Sequence, residues 1–195
     1  MAVQYDPSTA LVVVDVQNDF ADPDGSLFVR RGDEIISVVN VEIKAATEAG
    51  GYVVYTQDWH PPTTPNFVAD GGTWPVHCVR DTWGAELHPS LTVEGPTVRK
   101  GTGGEDGYSG FSMQDTETGQ VESTGLHELL QERGIADVVV VGLALDVCVK
   151  ATALDAVRLG YGCRVITSAS APVDLQPGNG ERAVAEMADA GVLVS

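Results

Sequence analysis

The sequence is poor in basic residues. It has 11 lysines and arginines against 28 aspartates and glutamates, which gives a formal net charge of −17 at pH 7. A surface this acidic repels phosphate at long range, so the composition argues against nucleic acid and anionic membranes as partners. Solubility is the simplest explanation for the excess of carboxylates.

Cysteine and long apolar runs are also scarce. Three widely spaced cysteines in 195 residues do not suggest a disulfide framework and fit a reducing compartment. The first apolar run, residues 10–14, follows no basic segment and is too short for a signal peptide or a membrane span. These features predict a cytoplasmic protein. With 43% hydrophobic residues and no internal repeat, the chain is expected to form one domain, residues 1–195.

Short β-branched apolar runs alternate with helical patterns along the chain. Strands are predicted at residues 10–14, 52–56, 97–100, 137–141, 164–167 and 192–194. Helices are predicted at residues 33–49, from 126 to Gly134, from about 147 to 157, and at 180–190. This alternation is typical of a doubly wound α/β fold, with a mostly parallel six-stranded sheet and helices on both faces. Such folds bind ligands at the carboxyl edge of the sheet.

Asp15, Lys100 and Cys148 each follow or end a predicted strand, so they can meet at one sheet edge. Cys148 falls in the first turn of a helix, where the helix dipole and free N–H groups favour the thiolate. Asp15 can take the thiol proton and later deliver it to a leaving amine, and the Lys100 ammonium can stabilise the thiolate. Each residue taken alone also fits a structural explanation: Cys148 can be a buried thiol, Asp15 a capping carboxylate and Lys100 a surface lysine.

Asp58, His60 and His77 flank a long loop rich in proline, glycine and threonine. On extended backbone Asp58 and His60 point to the same side, and His77 could join them from across the loop. One carboxylate and two imidazoles suit zinc, iron or manganese. Without further context, this spacing is found more often in surface histidines beside a carboxylate than in a metal site. A second polar segment, residues 101–124, is predicted to be a lid or rim.

Five segments form an ordered set of motifs. They are residues 15–20 (DVQNDF), 57–61 (QDWHP), 74–79 (WPVHCV), 99–101 (RKG) and 142–149 (GLALDVCV). Together they resemble the nicotinamidase/pyrazinamidase branch of the isochorismatase-like cysteine hydrolases, over residues 10 to about 159. The resemblance implies hydrolysis of nicotinamide to nicotinic acid and ammonia in NAD salvage, with pyrazinamide as a further substrate.

The resemblance also implies roles for individual residues. Asp15 corresponds to the general base, Lys100 to the positive member of the triad, and Cys148 to the nucleophile that forms a thioester. In this family a cis peptide bond, which would be Leu143–Ala144 here, leaves a backbone N–H group free for the oxyanion hole. The N–H groups of Ala144 and Cys148 would then form the oxyanion hole.

Matching positions suggest that Phe20 and Trp74 flank the substrate ring and that Tyr108 closes the pocket. The partner implied is therefore a small-molecule amide, with neither nucleic acid nor membrane involved. The sequence leaves the oligomeric state open, and a homo-oligomer is compatible with it.

The family's metal would be held by Asp58, His60 and His77, where it would coordinate the pyridine nitrogen and orient the amide. Many relatives have a further histidine where this chain has Thr64. Other relatives use a carboxylate nearer the second histidine, and Asp70 could take that part or be a plain loop carboxylate. The ligand set does not distinguish zinc from iron or manganese.

Leu145 stands where relatives commonly have threonine, which could alter pocket shape or substrate preference. One alternative function is another amidase of the same fold, such as an N-carbamoyl amide hydrolase. A second alternative is a non-catalytic redox or binding module in which Cys148 is a sensor thiol. The presence of Asp15 and Lys100 argues against a sensor, which needs only an accessible thiol of low pKa.

Overall fold

A six-stranded sheet forms the centre of the protein, seen here in a computed structural model that describes residues 3–195. The strands in chain order are β1 (Thr9–Val14), β2 (Tyr52–Asp58), β3 (Thr97–Lys100), β4 (Ser112–Gln114), β5 (Val121–Ser123), β6 (Asp137–Leu143), β7 (Gly162–Ala171) and β8 (Leu193–Val194). The main sheet has the order β3-β2-β1-β6-β7-β8, and every pair in it is parallel. Strands β4 and β5 form a separate antiparallel pair.

Helices cover both faces of the main sheet. They are α1 (Asn18–Ala21), α2 (Ile35–Glu48), α3 (Leu126–Glu132), α4 (Lys150–Arg158) and α5 (Asn179–Asp189). Leu11 and Val13 of β1 pack on the face with α2, whereas Val12 and Val14 pack on the face with α3, α4 and α5. Because both faces are buried, the central strands are continuously apolar instead of alternating. The predicted α/β fold with helices on both faces is confirmed.

Among residues 3–195, no helix has both the length and the apolar character needed to cross a membrane.

The order in which successive strands are added to the sheet reverses between β1 and β6. Strands β2 and β3 extend the sheet on one side of β1, and β7 and β8 extend it on the other side of β6. In open α/β sheets such a switch point leaves a crevice at the carboxyl ends of the two central strands. Asp15 follows β1 directly, and Cys148 follows β6 by a short turn, so both lie at this crevice.

Gly142 allows the ends of β1 and β6 to approach closely. Its φ is +111°, and a Cβ at this position would lie 2.1 Å from the carbonyl oxygen of Val14. Any larger residue would push the two strands apart next to Asp15. The glycine is therefore required by the geometry of the crevice.

The features that differ from the sequence prediction include the length of β7, the turn around Cys148 and the β4–β5 pair within the segment predicted as a lid or rim. Strand β7 runs to Ala171, beyond the predicted 164–167, because its last residues pair with β6 after a register shift between Val140 and Gly142. The chain around Cys148 forms a π-helical turn, Leu145–Val149, before α4 begins. The N–H groups of Val147 and Val149 both donate to the carbonyl of Ala144 in this turn. Such turns occur often at functional sites.

The acidic composition predicts that salt stabilises the fold. With a net charge of −17, mutual repulsion between carboxylates opposes compaction, and added salt screens it. We expect the Tm to rise by several degrees between about 20 mM and about 1 M KCl. Calorimetry over a KCl series tests this. A Tm that stays constant or falls as KCl increases would contradict it.

Candidate active site

Asp15, Lys100 and Cys148 meet at the carboxyl edge of the sheet. The Lys100 Nζ lies 2.7 Å from Asp15 Oδ2 and 3.7 Å from Cys148 Sγ. All three side chains are buried, and Asp15 and Lys100 have no exposed surface. The structure thus brings together the three residues that the sequence placed at separate strand ends.

Neighbouring elements hold the first two residues in place. Asp15 has a φ of +49°, and its Oδ1 accepts a 2.6 Å hydrogen bond from the hydroxyl of Thr56 on β2. Lys100 ends β3 in register with Asp58, the last residue of β2. Its ammonium donates to Asp58 Oδ1 and, over 2.5 Å, to the carbonyl of Gly107. The lysine therefore has fixed partners on two sides.

The electrostatics of these residues depend on burial. Burial raises the pKa of Asp15 to about 6, although the neighbouring Lys100 ammonium opposes the shift. Burial alone would lower the pKa of Lys100, but Asp15 and Asp58 raise it well above its usual value. Lys100 therefore stays charged.

The ionisation of Cys148 differs from the sequence prediction. Burial raises the pKa of its thiol well above the usual value, and this outweighs the attraction of Lys100. This shift favours the thiol, whereas the position at a helix start favours the thiolate. A base must remove the proton when the sulfur attacks, and Asp15 is within reach: one of its carboxylate oxygens lies within 4.8 Å of the Cys148 sulfur.

If Asp15 is the general base, as the resemblance implies, kcat/KM for amide hydrolysis should fall as the pH is lowered through about 6, because only the ionised carboxylate accepts a proton. The hydroxyl of Thr56 lowers the pKa of Asp15, so Thr56→Val should move this acid limb to higher pH. A pH–rate profile for both proteins provides the measurement. An acid limb at the same pH in both would contradict the assignment of this pKa to Asp15.

Asp58, His60 and His77 form a second cluster beside the first. Their donor atoms all lie within 4.8 Å of one another, and Asp58 Oδ2 is 3.7 Å from His60 Nε2 and 4.0 Å from His77 Nε2. The Nδ1 atoms of the two rings lie 3.2 Å and 2.7 Å from the carbonyl oxygens of Gly101 and Pro75. When each Nδ1–H donates a hydrogen bond to its carbonyl, the lone pair on each Nε2 faces the carboxylate of Asp58. This is the tautomer in which Nε2 can bind a metal.

This donor set fits a divalent metal. One carboxylate oxygen and two neutral imidazole nitrogens suit zinc, iron or manganese. Burial also lowers the pKa of His77, which favours the neutral form that binds metals. Gly101, with a φ of +67°, lets the backbone approach His60, since a Cβ there would lie 2.5 Å from the ring.

Asp70 does not join this cluster. It is exposed, and its Oδ2 accepts a 3.1 Å hydrogen bond from the N–H of Thr64. Thr64 is buried, and its hydroxyl donates to the carbonyl of Gly104. The turn at residues 68–70 faces solvent, so Asp70 stabilises the loop instead of supplying a fourth ligand. Within residues 3–195, the cluster has three protein ligands.

Asp58 belongs to both clusters. One carboxylate oxygen accepts a hydrogen bond from Lys100, and the other faces the two histidines. Asp15, Asp58 and Cys148 also lie close enough together to suggest a metal site, but the Lys100 ammonium occupies the space between the carboxylates. The Lys100 ammonium therefore supplies the positive charge between the carboxylates of Asp15 and Asp58.

A pocket lined by Asp58, His60, His77 and Cys148 opens onto both clusters. Phe20, Trp74 and Tyr108 line it as predicted from the sequence, and Trp74 Nε1 donates to the hydroxyl of Tyr108 over 2.9 Å. Ala144 and Cys148 line the inner end. The Leu143–Ala144 peptide bond is cis. The oxyanion-hole role of the two N–H groups stays a prediction.

Five further lining residues were missed by the sequence analysis: Leu27, Asn66, Asp106, Val147 and Val173. Val173 lies in a loop after β7, and the carboxylate of Asp146 fixes this loop. It accepts hydrogen bonds from the N–H groups of Val173 at 2.8 Å and Asp174 at 2.9 Å. The sequence motif around Cys148 contains Asp146, but it does not indicate that this carboxylate binds the distant loop at Val173 and Asp174.

Residues 9–195 match the model of the isochorismatase domain. A nicotinamidase of Escherichia coli (strain K12) is 36% identical over 203 residues, covering 95% of this chain and 93% of the relative. The crystal structure of PnC1 from L. infantum in complex with nicotinate has a TM-score of 0.89 and 35% identity, covering 100% of this chain and 96% of that one. The pyrazinamidase of Pyrococcus horikoshii in complex with zinc has a TM-score of 0.84 and 37% identity, covering 97% and 99%.

The family model spans most of the chain, and the relatives similar over nearly their whole length include nicotinamidases and pyrazinamidases. These matches agree with the five sequence motifs and with the six-stranded parallel sheet. The chain therefore belongs to the isochorismatase family.

Proposed function

We propose that this chain is an amidohydrolase that converts nicotinamide to nicotinate and ammonia. The observation that carries the proposal is the contact of Lys100 with both Asp15 and Cys148 at the inner end of an aromatic pocket. Nicotinamidases among the relatives support the substrate, and the nicotinate bound to the L. infantum protein is the corresponding product.

Acyl transfer to the sulfur would be the first half of the reaction. Asp15 takes the proton from the Cys148 thiol as the sulfur attacks the amide carbon, and Lys100 stabilises the negative charge nearby. The N–H groups of Ala144 and Cys148 bind the oxygen that becomes negative, which contributes about 3 kcal/mol per donor in comparable sites. The C–N bond then breaks as Asp15 returns its proton to the nitrogen. Ammonia leaves, and the acyl group remains on Cys148 as a thioester.

Hydrolysis of the thioester would complete the cycle. Asp15, again ionised, takes a proton from a water molecule that attacks the thioester carbon. The C–S bond breaks, the proton returns to the sulfur, and the acid is released as nicotinate. One carboxylate thus serves as base and acid in both halves. Its pKa of about 6 suits both tasks near neutral pH.

The pocket would orient the substrate ring between Phe20 and Trp74, with Tyr108 at its side. Aromatic faces favour a flat pyridine by stacking as well as by buried area. A divalent metal held by Asp58, His60 and His77 would add a Lewis-acid contact to the ring nitrogen. The zinc-bound pyrazinamidase of Pyrococcus horikoshii supports zinc as that metal. The activity would serve NAD salvage, and three free buried cysteines support the predicted cytoplasmic setting.

A panel of amides tests the proposed substrate. Ammonia release from nicotinamide and pyrazinamide should exceed release from an N-carbamoyl amino acid by at least about 100-fold in kcat/KM, because only the pyridine and pyrazine rings fill the aromatic pocket. Faster turnover of the N-carbamoyl compound would instead favour the second class of amidase.

Removal of the metal should lower nicotinamide turnover by at least about 10-fold, because the ring loses a contact that orients the amide. Dialysis against a chelator, followed by addition of Zn²⁺, Fe²⁺ or Mn²⁺, identifies the active ion by the recovered rate. His77→Ala should reproduce the loss of turnover. His127→Ala, which alters a histidine that is hydrogen-bonded to Tyr161, should not. Unchanged kinetics in the metal-free protein would remove the proposed metal role.

A further inference from the structure

Gln17, two residues after Asp15, makes three hydrogen bonds that the proposed mechanism does not use. Its Oε1 accepts the N–H of Asp58 at 2.8 Å, and its Nε2 donates to the carbonyl of the same residue at 2.8 Å. The other Nε2 proton goes to the carbonyl of Ala85 at 2.9 Å. The side chain has no exposed surface, and these bonds use both of its amide protons.

This arrangement fixes the backbone of Asp58 on both its N–H and C=O sides. The carboxylate of Asp58 must reach Lys100 with one oxygen and the two histidines with the other, so it tolerates little displacement. Ligand geometry in such sites depends on the groups that hold the ligands as much as on the ligands themselves.

Asp19 makes a comparable contact to the segment that carries His77. Its Oδ2 accepts the N–H of Cys78, the next residue, at 2.7 Å, and its Oδ1 accepts the N–H of Ser26 at 3.0 Å. Asp19 is buried, and Cys78 has a φ of +45°, in the left-handed region where an L residue needs support from its surroundings. One short stretch after β1 therefore contacts both segments that supply the metal ligands.

We propose that Gln17 and Asp19 are positioning residues that set the distance between the metal-binding side chains of Asp58 and His77. The inference rests on the proposed metal site and deepens it, since it assigns two residues that touch neither metal nor substrate. Without Gln17 the carboxylate would lose its orientation toward the histidines, and without Asp19 the His77 segment would shift.

The chain offers a matched control in Gln57. This glutamine is also buried, and its Nε2 donates to the same Ala85 carbonyl at 3.0 Å, but among residues 3–195 its side chain makes no hydrogen bond to Asp58. Gln17→Met and Gln57→Met each remove a buried amide of the same size, which makes three hydrogen bonds in Gln17 and one in Gln57. A merely structural role predicts that both variants behave alike.

The test measures Zn²⁺ affinity of the full-length variants by competition with a chromogenic chelator. Gln17→Met should raise the dissociation constant for Zn²⁺ by at least about 10-fold, and Gln57→Met should change it by less than about 2-fold. Circular dichroism verifies that each variant is folded. Equal affinities in the two glutamine variants would overturn the role of Gln17.

Asp19→Asn keeps the proposal testable if Gln17→Met does not fold. It removes one carboxylate acceptor, and it should also raise the Zn²⁺ dissociation constant by at least about 10-fold. Wild-type affinity in this variant would overturn the role of Asp19. A wild-type protein that hydrolyses nicotinamide but binds no Zn²⁺ would overturn the positioning proposal and leave the proposed reaction standing, whereas Zn²⁺ binding without hydrolysis would do the reverse.

Discussion

Cys148→Ala should lower kcat for nicotinamide hydrolysis by at least about 10³-fold without loss of the fold, because the thioester cannot form without its sulfur. Cys148 is the one cysteine among residues 3–195 that lines the pocket. Cys78 is fully buried and does not line the pocket, so that thiol is a poor substitute nucleophile. Ammonia release and circular dichroism provide the two readouts.

Cys163→Ala is the matched control for this substitution. Cys163 is free and buried like Cys148, but it lies near the start of β7, away from the carboxyl edge of the sheet. Its variant should keep activity within about 2-fold of wild type, since the side chain serves only packing. A Cys148→Ala protein that retains more than about a tenth of the wild-type rate would rule out covalent catalysis at this sulfur.

Lys100→Met should abolish activity and lower the free energy of unfolding by about 3–5 kcal/mol. The lysine ammonium lies between the carboxylates of Asp15 and Asp58, and both the lysine and Asp15 are without exposed surface. Methionine has a similar length but no charge, so two buried carboxylates would be left without a positive partner. Urea unfolding followed by circular dichroism measures the loss.

Lys150→Met controls for the loss of a lysine in an ion pair. The side chain of Lys150 pairs with Glu186 at 2.9 Å, and the two side chains are 28% and 56% exposed. Such a pair near the surface contributes little to stability. Similar losses of stability in the two lysine variants would show that the charge of Lys100 is not needed to hold the buried carboxylates.

The sequence predicted the parts of the fold that depend on local pattern. The run Val138–Val141 could only be a strand buried on both faces, and the strand ends placed Asp15, Lys100 and Cys148 at one edge. The small residues 168–171 at the end of β7 carry no strong apolar signal, so that part of the strand became visible only through its pairing with β6. Pairing partners far apart in sequence leave no local pattern.

The site shows the same limit. Asp58 was predicted as a metal ligand, but its contact with Lys100 follows from the register of β2 and β3, which no local pattern reveals. The helix start that favours the Cys148 thiolate is visible in the sequence, whereas the enclosure that raises the pKa of this thiol is not. Asp70 was considered as a ligand because other relatives use a carboxylate nearer the second histidine, and the outward turn that exposes it appears only in the structure.

The most direct test of the central claim is partition of the acyl group between water and hydroxylamine. If one nicotinoyl thioester on Cys148 lies on the pathway, nicotinamide and a nicotinate ester must give the same ratio of hydroxamate to acid, whatever group has left. Ratios that differ between the two substrates, or the absence of hydroxamate while turnover continues, would show that water attacks the amide directly and would contradict the cysteine mechanism.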